Sequence, residues 1–150
     1  MTTATQDGGL KLRAEDAEDI NVISSSLQDA LVAVADMTLL GDQRRFALVA
    51  NRFCWEKPID AQGGYQRSHT ILAIDGVASV SMQGIDRQQS DRVLNLLAIE
   101  TAIKPQGGVY VVLVFAGQAA IRLEVDRILC HLEDVGEPWF TRWKPAHLDE

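Results

Sequence analysis

The sequence predicts an α+β domain, β-dominated, with a largely antiparallel sheet of about seven strands curled into a barrel or two-layer sandwich and one N-terminal helix. Three observations carry this. Long aliphatic runs alternate at the strand period, turn residues separate them, and one acidic segment with helical spacing comes first. A chain of 150 residues, 47% apolar and 23% charged, is long enough to bury about two-thirds of its unfolded surface. A single globular domain over 10–150 is therefore expected.

Residues 1–9 mix Thr, Gln, Asp and paired glycines with nothing to bury, which predicts a flexible tail. Leu10 and Leu12 alternate with Lys11 and Arg13 as in a short edge strand. Ala17, Ile20, Ile23 and Leu27 then recur at three to four residues, and Glu15, Asp16, Glu18 and Asp19 supply the acidic first turn that a helix dipole favours. A helix is expected over 15–26. The same spacing runs on through Leu31, Val34 and Met37, but Ala30 to Leu40 suits a strand equally well. With a turn at Gly41-Asp42-Gln43 and a clear strand over 45–56, a hairpin explains both halves. On its second strand Phe46, Leu48, Ala50 and Cys54 face one way and Val49, Phe53 and Trp55 the other, the pattern of a central strand. Lys57 to Arg67, with Pro58 and Gly63-Gly64, reads as a loop.

Two short strands follow, Thr70 to Ile74 and Val77 to Met82, joined by Asp75-Gly76 as a tight hairpin or fused as one strand bulged at Gly76. Residues 84–91 read as a loop, and Val93 to Ile103 as a strand ending at Pro105-Gln-Gly-Gly108. Val109 to Phe115 is seven β-formers in a row. It returns through Ala116-Gly117-Gln118 into Ile121 to Val125, apolar on one face and charged on the other like an outer strand. Residues 126–134 suit helix or strand, and strand is preferred. A small pleckstrin-homology-like barrel would instead place its closing helix at 124–134. The tail from Pro138 to Pro145 holds Trp139, Phe140 and Trp143, too aromatic for open water, so it is expected to pack over a sheet face or edge.

Composition narrows the functional classes. A net charge of −7 and a pI near 4.9 oppose a polyanion. Residues 41–70 carry Arg44, Arg45, Arg52, Lys57 and Arg67 against Asp42, Glu56 and Asp60, five to three, a weak field that makes RNA the last of three hypotheses. No run is long enough for a membrane span, and Met1 to Gly9 lacks the regions of a secretory signal, so a cytoplasmic protein is expected. Cys54 and Cys130 are read as reduced thiols.

Catalytic and metal motifs do not emerge. Cys130 and His131 are adjacent, which on a strand throws them to opposite faces, and no metal site or cofactor is expected. No serine sits in a nucleophile elbow, and Ser24, Ser25 and Ser26 are expected to bond the helix backbone. The glycine pairs lack phosphate-loop spacing. Glu133-Asp134 and Asp149-Glu150 read as solvated surface.

The combination that stands out is Asn51-Arg52-Phe53-Cys54-Trp55-Glu56 with Gln28-Asp29 nearby. A buried strand carrying Asn51 and Arg52 must satisfy them, with Asp29, Asp36 or Glu56 as partners. That makes a structural ion pair at the sheet end, or a ligand or partner site beside Trp55. The leading hypothesis is a non-catalytic binding or assembly domain that engages a protein partner, or itself as a homodimer, through Trp55, Tyr110, Trp139 and Trp143. The second is a small-ligand binder or enzyme with a pocket near Arg52, Glu56, His69 and His131.

The chain also resembles an alphaproteobacterial family known as a domain of unknown function (DUF2948-like). The resemblance rests on Leu10-Lys-Leu with Glu18-Asp19 and Val22-Ile23-Ser24, Leu27-Gln-Asp-Ala30, Arg45-Phe46 with Asn51-Arg-Phe53 and Trp55-Glu56, Phe115-Ala-Gly117 with Ile121-Arg-Leu-Glu-Val125, and Pro145 with His147. It covers nearly the whole chain and implies a bacterial, cytosolic, stand-alone domain without an assigned activity. Cys54 and Gln118 depart from the family pattern, which favours a polar residue and a glycine there.

Overall fold

The computed structural model describes residues 2–4, 9–57 and 64–145. His147 and the pair Asp149-Glu150 lie outside them, as do most of the expected tail and the middle of the 57–67 loop. Strand β1 (Thr2–Ala4) pairs with β2 (Leu10–Ala14), and α1 (Ala17–Ser26) follows. Then come β3 (Ala30–Ala33), β4 (Met37–Leu40), β5 (Arg45–Phe53), β6 (Tyr65–Ile74), β7 (Val77–Gln83), β8 (Val93–Ile103), β9 (Val109–Phe115), β10 (Ala119–Val125) and β11 (Cys130–Thr141).

These strands form one eleven-stranded antiparallel sheet in the order β1-β2-β11-β6-β5-β3-β8-β9-β10-β7, with β4 off this path on β5. The path ends at β1 and β7 and does not close. The expected seven strands are exceeded: a single 3-10 turn at Val34–Asp36 splits the predicted strand 30–40 into β3 and β4, and β1 adds a further strand on β2. The hairpin holds between β4 and β5, where Met37 faces Leu48 and Leu40 faces Arg45. β3 meets β5 only at Leu31 opposite Asn51 and otherwise pairs with β8.

Helix α1 forms where the acidic turn predicts it. Asp16 caps it, its Oδ1 accepting the Asp19 N–H at 2.8 Å, an interaction of about 1 kcal/mol. Ile20 and Ile23 bury the inner face, together with Leu27 at its end, against β8 and β2, each contributing about 2 kcal/mol. A bulge in β8 between Leu96 and Ala98 precedes Ile99, whose N–H donates to Ser24 Oγ at 2.9 Å. Of the three serines expected to bond the helix backbone, Ser26 does so, its Oγ donating to Val22 O, whereas Ser24 Oγ serves β8 instead.

Three expectations need correction. β6 and β7 are not a hairpin: β6 pairs with β5 and β11, β7 pairs with β10, and Asp75-Gly76 turns the chain between them with Gly76 at φ 71°. The chain takes this left-handed corner at glycine without steric cost. β10 is not outermost, because β7 flanks it. β2 is not an edge, because β1 and β11 flank it. The preferred strand reading of 126–134 holds from Cys130 on, after a bend at 126–127, with Cys130 and Leu132 alternating inward, and the alternative closing helix does not form.

One apolar core joins both halves of the sheet. Phe46, Leu48 and Ala50 of the central strand β5 meet Leu72 and Ile74 of β6, and Leu113, Phe115, Ile121 and Leu123 fill the other side.

Candidate functional site

β5 alternates inward at Phe46, Leu48, Ala50 and then Arg52. The last is a guanidinium at 0% exposure. Its Nε donates to Asp134 Oδ1 at 2.7 Å and its Nη2 to Asp134 Oδ2 at 2.6 Å. Nη1 and Nη2 reach the two Glu56 oxygens at 3.0 and 2.8 Å. Two bidentate pairs occupy the guanidinium fork, the geometry that Arg and carboxylates form best. Asp134 also accepts the Leu10 N–H at 2.9 Å, so the cluster ties β2, β5 and β11 together.

Burial alone would lower the Arg52 pKa, but hydrogen bonds and charge from Asp134 and Glu56 outweigh it and raise the pKa. Burial likewise pushes Asp134 up, and the Arg52 guanidinium and Leu10 N–H hold it below the usual carboxylate range. Cys54 and Cys130 are buried thiols. Burial raises both, Cys130 to about 12, which keeps them protonated and poor nucleophiles.

Of the partners expected for Arg52, Glu56 is one; Asp134, expected as solvated surface, takes the place of Asp29 and Asp36. The signal for Asp134 is parity. Cys130, Leu132 and Asp134 alternate, and Glu133 is the exposed member of that acidic pair.

The outward face of the same strands carries a second constellation. Val135, His69, Asn51, Leu31 and Asn95 stand opposite one another on β11, β6, β5, β3 and β8, one rung across four ladders. The His69 ring lies 4.8 Å from that of Trp139. On the next rung Arg67 donates through Nε to Asn51 Oδ1 at 2.5 Å and through Nη2 to Asn51 O at 2.9 Å. Burial lowers the Arg67 pKa, and the charge of Asp29 supports its cationic form.

A recess of about 220 Å³ opens here, lined by Asp29, Leu31, Arg67, Asn95, Trp143 and Lys144. Asp29 is 4% exposed and sits at φ 62°, in the left-handed region that Asp tolerates better than most residues. Asn95 Oδ1 is buried and finds no partner among the described residues. Trp143 is 81% exposed and Phe140 65%. The tail therefore extends as β11 rather than packing all its aromatics away. Trp55 anchors the rim, its Nε1 donating to Gln28 O at 3.0 Å, with Phe53 4.6 Å beneath and Lys144 Nζ 5.9 Å over its ring.

The chain belongs to the family described as protein of unknown function (DUF2948). That family model matches residues 10–147. No curated protein and no solved structure matches the chain.

Of the residues singled out by sequence in this DUF2948 chain, Asp29, Asn51, Trp55, Trp139 and Trp143 converge on the outer face. Arg52 and Glu56 lie on the inner side of the same sheet end. Tyr110 stands apart on β9, its ring under Arg122 at 4.7 Å and Lys104 at 5.5 Å. His69 and His131 do not join Arg52 and Glu56: His69 faces outward, and His131 lies 3.8 Å from Asp75. Three of the five cations of the basic segment meet carboxylates, Arg44 on Asp126, Arg45 on Asp75 and Arg52 on Glu56 and Asp134. Among the described residues no group of three or more His, Cys, Asp and Glu could hold a metal, and no helix is long and apolar enough to cross a membrane. Sequence reasoning missed Asn95 and Lys144 as site residues. Asn95 carried a signal, a lone amide inside the aliphatic run of β8.

Proposed function

We propose that this protein is a non-catalytic binding and assembly domain that engages a second copy of itself through the aromatic end of its sheet. The observation that carries this is Trp143, exposed on a recess holding both signs of charge, Asp29 against Arg67 and Lys144, with Phe140 exposed at the same end of β11. Large aromatics dominate interface energetics, and leaving two in water has a cost that a partner removes. A two-fold interface must complement itself, which a surface bearing both signs does. The strongest ionic cluster, Arg52 with Glu56 and Asp134, is internally satisfied and serves the fold.

The sheet is read as a barrel-like curl. β3 joins its halves on one side and the β6–β7 corner on the other, so likeness to a pleckstrin-homology barrel rests on the curled strands alone. A cytosolic setting accords with two buried, free cysteines.

Sedimentation velocity over a concentration series tests the reading. Wild type is expected to dimerise, and Trp143→Ala and Phe140→Ala to sediment as monomers. A monomeric wild type, or a dimer indifferent to both changes, overturns it.

A further inference from the structure

The sheet leaves a seam. Among the described residues β4 is paired only with β5 and β7 only with β10, so each has one edge without a strand partner there. Between them lies a cavity of about 230 Å³ walled by Val34, Met37, Val80 and Met82, with Phe46 of the core among its lining residues. The exposed Arg87, on the loop after β7, lines it too.

We propose that this seam binds a small aliphatic carboxylate, its chain between the strand edges and its head on Arg87. Val34, Val80 and the two methionines offer hydrocarbon a surface that adapts to its shape without a fixed rotamer, while Thr38, Arg87 and the strand backbone make much of the lining polar, as a chain with a charged head requires. The guanidinium calls for an anion. Arg87 makes no ion pair or hydrogen bond with any described residue. Its neighbour Asp86 turns Oδ1 to the Gln88 N–H at 2.9 Å.

Size and boundaries select a small molecule over a peptide strand. The cavity is smaller than the roughly 300–1,000 Å³ of drug-sized pockets. Backbone hydrogen bonds bound it on two sides. Val77 N–H donates to Arg44 O at 2.9 Å where β7 begins, and the 3-10 turn is tied to the end of the loop by Val34 N–H to Arg92 O and Ala35 N–H to Ser90 O, at 2.9 and 3.0 Å. An added strand needs a free edge along its length, and these ties leave a short pocket instead. The site is independent of the proposed interface.

Octanoate, octan-1-ol and octylamine titrated into the ¹⁵N-labelled full chain test the proposal by amide chemical shifts. Octanoate is expected to give saturable shifts confined to residues 34–39, 80–87 and their strand partners, and to bind more tightly than octylamine. Arg87→Gln should weaken octanoate by about fivefold, the scale of an exposed ion pair, and leave octanol unchanged. Met82→Trp, which fills the cavity, should abolish the shifts. Arg87 is exposed, so its replacement keeps the test decisive if the tryptophan variant fails to fold. Absence of saturation, shifts scattered over the surface, or equal binding of octanoate and octylamine overturns the proposal.

Discussion

The two ends of β5 point side chains into the same interior and use opposite chemistry. From Phe46 to Ala50 the inward positions are apolar and are held by exclusion of water and dispersion. Two residues later the next inward position is Arg52, held by Asp134 from β11 and Glu56 from its own chain neighbourhood. The contrast teaches that strand alternation decides where a side chain goes but not what may stand there. A cation is accommodated inside because carboxylates from separate parts of the chain meet it with matched geometry. Such a cluster adds little net stability over an apolar filling of the same shape, yet breaking half of it is costly.

The sharpest way to break this contrast is Arg52→Ala. It strands Asp134 without its counter-charge and should lower the unfolding free energy by about 3–5 kcal/mol in urea titration. A loss below about 1 kcal/mol would make the pair no better than a surface one. At the apolar end Leu48→Ala should cost about 3 kcal/mol by transfer and cavity terms, measured the same way and without the pH dependence of its polar counterpart.

That pH dependence follows from Asp134. Its folded-state pKa is depressed, so its stabilisation is fully present above the unfolded value of about 3.9 and is lost as pH falls through the folded value. Urea midpoints in that acid range should fall more steeply for wild type than for Asp134→Asn, and parallel curves would count against the assignment. The smallest effect lies outside both regions. Gln118 sits at φ 63° in the β9–β10 turn, so Gln118→Gly should raise stability by about 0.5 kcal/mol in thermal unfolding.

That last residue also shows what a sequence can disclose. The resemblance read from the sequence implies a glycine at position 118, and the left-handed backbone that Gln118 adopts is one glycine takes without strain. Local signals were legible in the same way: the acidic turn gave α1, and alternation gave β5, β9 and the inward line of Cys130 and Leu132. Arg52 was recognised as needing carboxylates. Its main partner was hidden because 82 residues separate it from Asp134, and nothing in local spacing reports contacts across that distance. Asp75-Gly76 misled for a related reason, since a turn dipeptide specifies a change of direction but not whether the strands it joins will pair. The recess was invisible for the same cause. Asp29, Arg67, Asn95 and Trp143 come from four separate segments and meet only when β3, β5, β6, β8 and the tail are assembled.

The division of labour between a structural ion cluster inside and a binding rim outside rests most directly on Trp143. Sedimentation of wild type and Trp143→Ala, paired with urea unfolding at concentrations where both are monomeric, tests it. The variant is expected to associate at least about tenfold more weakly with its unfolding free energy unchanged within about 0.5 kcal/mol. Undiminished association, or a comparable loss of stability, would contradict it.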